Sequence, residues 1–118
     1  MADNALFIGW GLPVRGREAK AVAVFGESVQ YWSGLAQQGQ IESFEVALLD
    51  PHGGDLNGFA LLRGSRAQLD QLRGSADFQR LVTRAQLIVE NVGVIGAVLG
   101  QALADQMALY QAQLGELA

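Results

Sequence analysis

The chain has no cysteine among its 118 residues. Disulfides, thiolate catalysis and cysteine-ligated zinc are thereby excluded, and a reducing, cytoplasmic setting is the expectation. Basic side chains are scarce as well. One lysine, Lys20, and seven arginines stand against twelve acids, leaving a net charge of −4. Without a basic cluster to neutralise phosphates, nucleic acid is not an expected partner. Long apolar runs are also missing: the richest stretch, Leu87 to Leu99, is interrupted by Glu90 and Asn91. It is too short to cross a bilayer, so no membrane partner is expected. No basic start followed by an apolar run and a small-residue cleavage site is seen, which argues against a signal peptide. Low-complexity segments are absent and half the residues are apolar, so disorder is confined to the ends. A chain of this length forms one domain, residues 1–118, and buries roughly two-thirds of its unfolded surface.

What is present is a series of switches in hydrophobic period. Leu6, Ile8 and Trp10 alternate with Phe7 and Gly9 as a first strand, and Pro13 and Gly16 mark a turn. From Arg17 to about Gln38 the spacing turns helical, with Val22, Phe25, Val29, Trp32 and Ala36 on one stripe. Val24, Tyr31 and Leu35 widen it, and Gly39 ends the helix as a residue free to take positive φ. Phe44, Val46 and Leu48 alternate as a second strand, and Phe59 to Arg63 forms a third. Between them Asp50-Pro51-His52-Gly53-Gly54-Asp55 is dense in turn residues. Ser65 and Gln68 have capping-box spacing. A short helix with Leu69 and Leu72 inward is broken at Gly74-Ser75, and Ser75 caps a second piece carrying Phe78, Leu81, Val82 and Ala85. Leu87 to Leu99 reads as a fourth strand, bulged or broken near Asn91. Residues 101–117 form an amphipathic helix on Leu103, Met107, Tyr110 and Leu114.

The order β-α-β-β-α-β with an extra C-terminal helix is the ferredoxin-like arrangement, an α+β fold with helices on one face of an antiparallel sheet. The other face should then be polar at alternate positions. Instead Leu6, Phe7, Ile8, Trp10, Val94 and Ile95 are apolar at both parities. A bare patch of that kind exceeds what monomers usually expose. Sheet-on-sheet pairing in a homodimer buries it, and so does folding the terminal helix across it; the homodimer is the expectation.

With this element order the chain resembles the dimeric α+β barrel superfamily, which includes the antibiotic-biosynthesis monooxygenases and the YCII-like proteins. More closely, Gly9-Trp10-Gly11-Leu12-Pro13 and the stretch Leu49 to Phe59 are similar to those of an uncharacterised bacterial family with this fold. That resemblance implies a dimeric α+β barrel and no particular activity. The YCII-like proteins use a His–Asp arrangement near a cleft, whereas the one histidine here, His52, lies in the hairpin loop, so that role is not carried over. Monooxygenases of this fold often line a pocket with Asn, Trp and His. Asn4 and Trp10 fit the first strand, and the histidine has no counterpart. A shared fold selects no function.

Four constellations bear on chemistry. Gly9-x-Gly11 sits where a dinucleotide fingerprint would, but Val14 occupies the place of its third glycine. Asp50, His52 and Asp55 could converge as metal ligands or as an acid–base pair; the competing reading is a braced turn. A calcium loop is ruled out because its twelfth position is Leu61. Trp10, Tyr31, Trp32 and Tyr110 could line an apolar pocket between sheet and helices, Trp10 and Tyr31 foremost, with Arg63 and Glu90 as polar anchors; the competing reading is ordinary core packing. Arg66, Arg73, Arg80 and Arg84 recur along the second helical region and read as a solvated face partnered by Asp70 and Asp77. With no nucleophile–base pair, metal cluster or phosphate loop, the expectation is a cofactor-free module binding a small apolar ligand or a protein. The alternative is a small cofactor-independent enzyme, monooxygenase- or isomerase-like, working between sheet and helices.

Overall fold

A computed structural model describes residues 2–118. The elements run β1 (Asn4–Trp10), α1 (Glu18–Gln37), β2 (Ser43–Leu48), β3 (Gly58–Gly64), α2 (Arg66–Arg73), α3 (Ala76–Gln86), β4 (Gly93–Val98) and α4 (Gly100–Leu117). The strands form one antiparallel sheet in the order β2-β3-β1-β4. This is the ferredoxin-like α+β arrangement, with the second helix split into α2 and α3.

Strand register sorts the side chains. Leu6 faces Leu62, which faces Phe44; Ile8 faces Ala60 and Val94, and Ala60 faces Val46. This even-numbered set packs under Trp32 and Leu35 of α1, Leu69 and Leu72 of α2 and Phe78 of α3 as one core. Leu6, Ile41 and Leu62 are fully enclosed. Both breaks in the second helical region are capped as their spacing predicts. The Ser65 hydroxyl accepts from Gln68 N–H while the Gln68 carboxamide accepts from Ser65 N–H. Ser75 accepts from Phe78 N–H, which starts α3 at a new angle and aims Phe78 inward. Such caps contribute about 1 kcal/mol each.

The odd-numbered set forms the opposite face. Phe7 and Phe59 stack at 5.0 Å, with Leu61, Ile95, Ala47 and Ala97 around them. The polar element at its margin is the Glu45–Arg63 pair at 2.9 Å. Helices α1, α2 and α3 all pack on the other side, and α4 buries none of its residues. The apolarity of both sheet faces is therefore real, and the terminal helix does not relieve it within one protomer.

Two sequence expectations shift. The fourth strand was expected over 87–99 and spans only Gly93–Val98. Asn91 adopts φ 57°, a left-handed conformation that turns the chain before the strand begins. Upstream of that turn, Ile88 packs on Ala21 and Val24, and Val89 bridges to Pro13. The buried stripe of α1 is also rotated: Ala21, Val24, Ser28, Trp32 and Leu35 are buried, while Val22 is 74% exposed. Val22 stands over a hollow, which is the site described next.

Candidate functional site

The hollow lies where α1 and α3 diverge above the β1 end of the sheet. Its volume is about 380 Å³. The floor is Ile8 and Trp10 of β1; Val24, Phe25 and Trp32 of α1 form one wall, and Phe78, Val82 and Ala85 of α3 the other. The segment between α3 and β4 closes the end with Ile88, Val89 and Val92. Val22 and Leu48, both largely exposed, form an apolar rim. Glu27 and Arg84 tie α1 to α3 outside it at 3.0 Å, a half-exposed pair worth little in energy.

Local sequence explains why the hollow is there. Trp10 is the last residue of β1, and its ring passes over Gly58 on β3; a Cβ at Gly58 would come within 2.9 Å of the indole. Phe25 meets Trp10 edge-on at 6.0 Å. Beyond Trp10, the backbone of Gly11 is squeezed between the carbonyls of Asp55 and Glu90, each 2.9 Å from where a Cβ would stand. Gly11 N–H donates to the Glu90 carbonyl at 2.7 Å, and Asn57 N–H donates to the Trp10 carbonyl at 2.7 Å. Gly9-x-Gly11 is thus a close-packing device that anchors the end of β1 between two loops.

The lining is apolar and, among the described residues, carries no ionisable side chain. Polar atoms come from Ser28, Asn57 and the two indoles. The Ser28 hydroxyl already donates to the Val24 carbonyl at 2.7 Å. Trp32 is 3% exposed and its Nε1–H has no hydrogen-bond partner. A buried donor left unpaired costs about 1–3 kcal/mol, and this N–H is enclosed by its neighbours and does not open onto the hollow.

The residues singled out from sequence are dispersed. Trp10 lines the hollow. Tyr31, its neighbour on the helix being Trp32, points instead into a separate groove between α1 and α2 beside Ser75 and Asp77. Burial there raises its pKa; the Ser75 hydrogen bond works against that rise and the Asp77 charge adds to it. Arg63 lies on the opposite sheet face, paired with Glu45. Glu90 is exposed, and its backbone, not its carboxylate, does the structural work, accepting from Gly11 and donating to Leu12. Asp50, His52 and Asp55 occupy the exposed hairpin loop, where His52 Nδ1–H donates to the Asp50 carbonyl at 3.0 Å. They do not assemble as a ligand set among the described residues. Of the arginine row, Arg80 pairs with Asp77 at 3.2 Å and Arg84 with Glu27. Of the rings the sequence offers for a hollow, Trp10 and Trp32 line it, and Tyr110 stands exposed on α4 instead. Phe25, Phe78 and Val82 read from sequence as core packing, and only the space between α1 and α3 gives them the second role.

No protein-family model and no curated protein matches the chain. Solved structures do. A dimeric protein of unknown function and ferredoxin-like fold from Bacteroides fragilis is similar at 10% identity and TM-score 0.59, over 81% of this chain and 96% of that one. SnoaB, a cofactor-independent oxygenase from Streptomyces nogalater, is similar at 14% identity and TM-score 0.56, over 86% and 98%. A hydroxynitrile lyase from Passiflora edulis is similar at 11% identity and TM-score 0.59, over 85% and 96%. Together with the strand order, these likenesses establish that the chain has a ferredoxin-like fold shared with dimeric proteins of unknown function and with cofactor-independent oxygenases.

Proposed function

We propose that the protein is a homodimeric module that binds a neutral, largely apolar small molecule in the hollow between α1, α3 and β1. The observation that carries this reading is the hollow itself: about 380 Å³ of space walled by aromatic and aliphatic side chains. That is within the range of small-molecule sites, and a lining without charge favours an uncharged ligand. Pairing of the Phe7–Phe59 face with that of a second copy removes an apolar surface that a monomer would leave in water. Nucleic acid does not suit a chain of net charge −4.

The enzymatic alternative draws on the cofactor-independent oxygenase and the hydroxynitrile lyase among the fold relatives. It requires a group that moves a proton at the site, and the described lining offers only Asn57, Ser28 and the indoles. Binding is therefore the favoured reading.

Both tryptophans of the chain, Trp10 and Trp32, line the hollow, so fluorescence excited selectively at tryptophan reports on this site. Native mass spectrometry of freshly purified protein is expected to show a dimer carrying mass that is lost on denaturation. Titration with 9-fluorenone, a flat neutral ketone, is expected to quench the fluorescence saturably. A clean protein that neither retains a ligand nor responds to the ketone or to its hydrocarbon analogue fluorene would refute the binding reading. A monomer would refute the paired sheets.

A further inference from the structure

Helix α4 is 18 residues long, about 27 Å, and none of its residues is buried. It touches the body of the protein at β4 and at its own first turn, where Gln101 N–H reaches Asp3 Oδ1 at 3.4 Å. The radius of gyration is 16.3 Å, against about 13.5 Å for a compact chain of this length. An isolated helix of this size is marginal in water, so its stability has to come from packing. The fold relatives are matched nearly end to end while part of this chain is not, and the surplus is about as long as α4.

The pattern on α4 says what packs there. Leu103, Met107, Tyr110, Leu114 and Leu117 follow one another at steps of four, three, four and three residues, and are 47% to 84% exposed. An average of 3.5 residues per repeat is the seam of a helix pair, and Leu109, also exposed, is the one large apolar side chain of the helix off that seam. The flanks of the seam are Ala104, Gln106, Gln111 and Gln113, all uncharged. Asp105 and Glu116, the charged residues of the helix, lie off the seam. Neutral flanks impose no repulsion between identical helices, whereas pairing with a distinct partner is ordinarily specified by charges at those positions. A membrane surface is disfavoured by the same inventory, since α4 carries no lysine or arginine to meet anionic headgroups.

We infer that α4 is an association arm, pairing along Leu103, Met107, Tyr110, Leu114 and Leu117 with α4 of a second copy. The pair is distinct from the sheet-face contact and stands whether or not that contact forms. A two-helix seam of this length is smaller than a standard interface of roughly 1,600 Å² and supplements any other contact between copies.

The absence of cysteine makes a clean test available. In a parallel pair a cysteine at Tyr110 meets its own copy, and in an antiparallel pair it meets position 107 of the other helix; Ala112 lies on the opposite side of the helix. In the full-length protein, Tyr110→Cys, alone or mixed with Met107→Cys, is expected to form an intermolecular disulfide under mild oxidation at least about tenfold faster than Ala112→Cys, because only the seam brings two Cβ atoms within bonding range. Leu114→Glu is expected to weaken association at least about tenfold in dissociation constant, read by sedimentation over a dilution series. Circular dichroism confirms that each variant is folded, which the exposure of these positions favours. Equal cross-linking rates at 110 and 112, or a dissociation constant unchanged by Leu114→Glu, would overturn the inference.

Discussion

Replacing Ala85 by phenylalanine asks whether the space between α1 and α3 is a ligand site or a loosely drawn core. Ala85 faces the hollow from α3, opposite Val24 and Phe25 of α1. A benzyl group in place of a methyl adds about 100 Å² of apolar surface, worth about 2.5 kcal/mol if fully buried. The hollow opens at the Val22–Leu48 rim, so under half of that is realised, about 1 kcal/mol. The lower helix propensity of phenylalanine subtracts about 0.5 kcal/mol. The net expectation is a small gain, between zero and about 1 kcal/mol, or up to about 4 °C in Tm for a chain of this size. Overpacking a filled core has the opposite sign and costs about 1–3 kcal/mol. The ring also occupies space a ligand would use, so 9-fluorenone affinity should fall at least about tenfold, equivalent to about 1.4 kcal/mol. Thermal unfolding gives the first quantity and tryptophan quenching the second. A loss of more than about 1 kcal/mol in stability, or unchanged ketone affinity, would show that the space is not a binding site.

Two further outcomes are expected. Trp32→Phe removes an enclosed, unpaired N–H while keeping an aromatic ring, so the ratio of 9-fluorenone to fluorene affinity should stay within about threefold of the parent's on titration. A loss confined to the ketone would show that the indole N–H reaches the ligand. Tyr31 has a raised pKa in the fold, so its unfolded form ionises first as pH climbs and pulls the equilibrium towards unfolding. The stability tied to its neutral form is intact below the ordinary tyrosine pKa and drains away above it. Tyr31→Phe should therefore flatten the fall in Tm between neutral pH and about pH 11, and an unaltered alkaline slope would contradict that assignment.

The features of this protein that depend on neighbours along the chain are legible without coordinates. Ser65 with Gln68, the break at Gly74-Ser75 and the glycine end of α1 at Gly39 are each set within a few residues by backbone hydrogen bonding and allowed φ. Element order follows, and with it the ferredoxin-like sheet. The fourth strand was overextended because Leu87–Val92 is as apolar as Gly93–Val98; only the left-handed Asn91 divides them. Apolarity at both parities of β1 likewise announced a second sheet face needing cover, and the Phe7–Phe59 stack stands on that face.

The site was decided by contacts distant in sequence. Tyr31 and Trp32 are adjacent in one amphipathic helix, and periodicity places both near its inner stripe. Packing of α2 and α3 then sends Trp32 to the hollow and Tyr31 to the neighbouring groove. Arg63 was separated from Trp10 by strand parity, since odd residues of β3 face away from the helices. Sequence by itself determined which segments are helix and strand and how many apolar faces they carry, because those are local consequences of side-chain period. Only the tertiary structure decided where α1 and α3 part and α4 stands clear, because a hollow or an uncovered helix is defined by the atoms around it, and periodicity does not specify those.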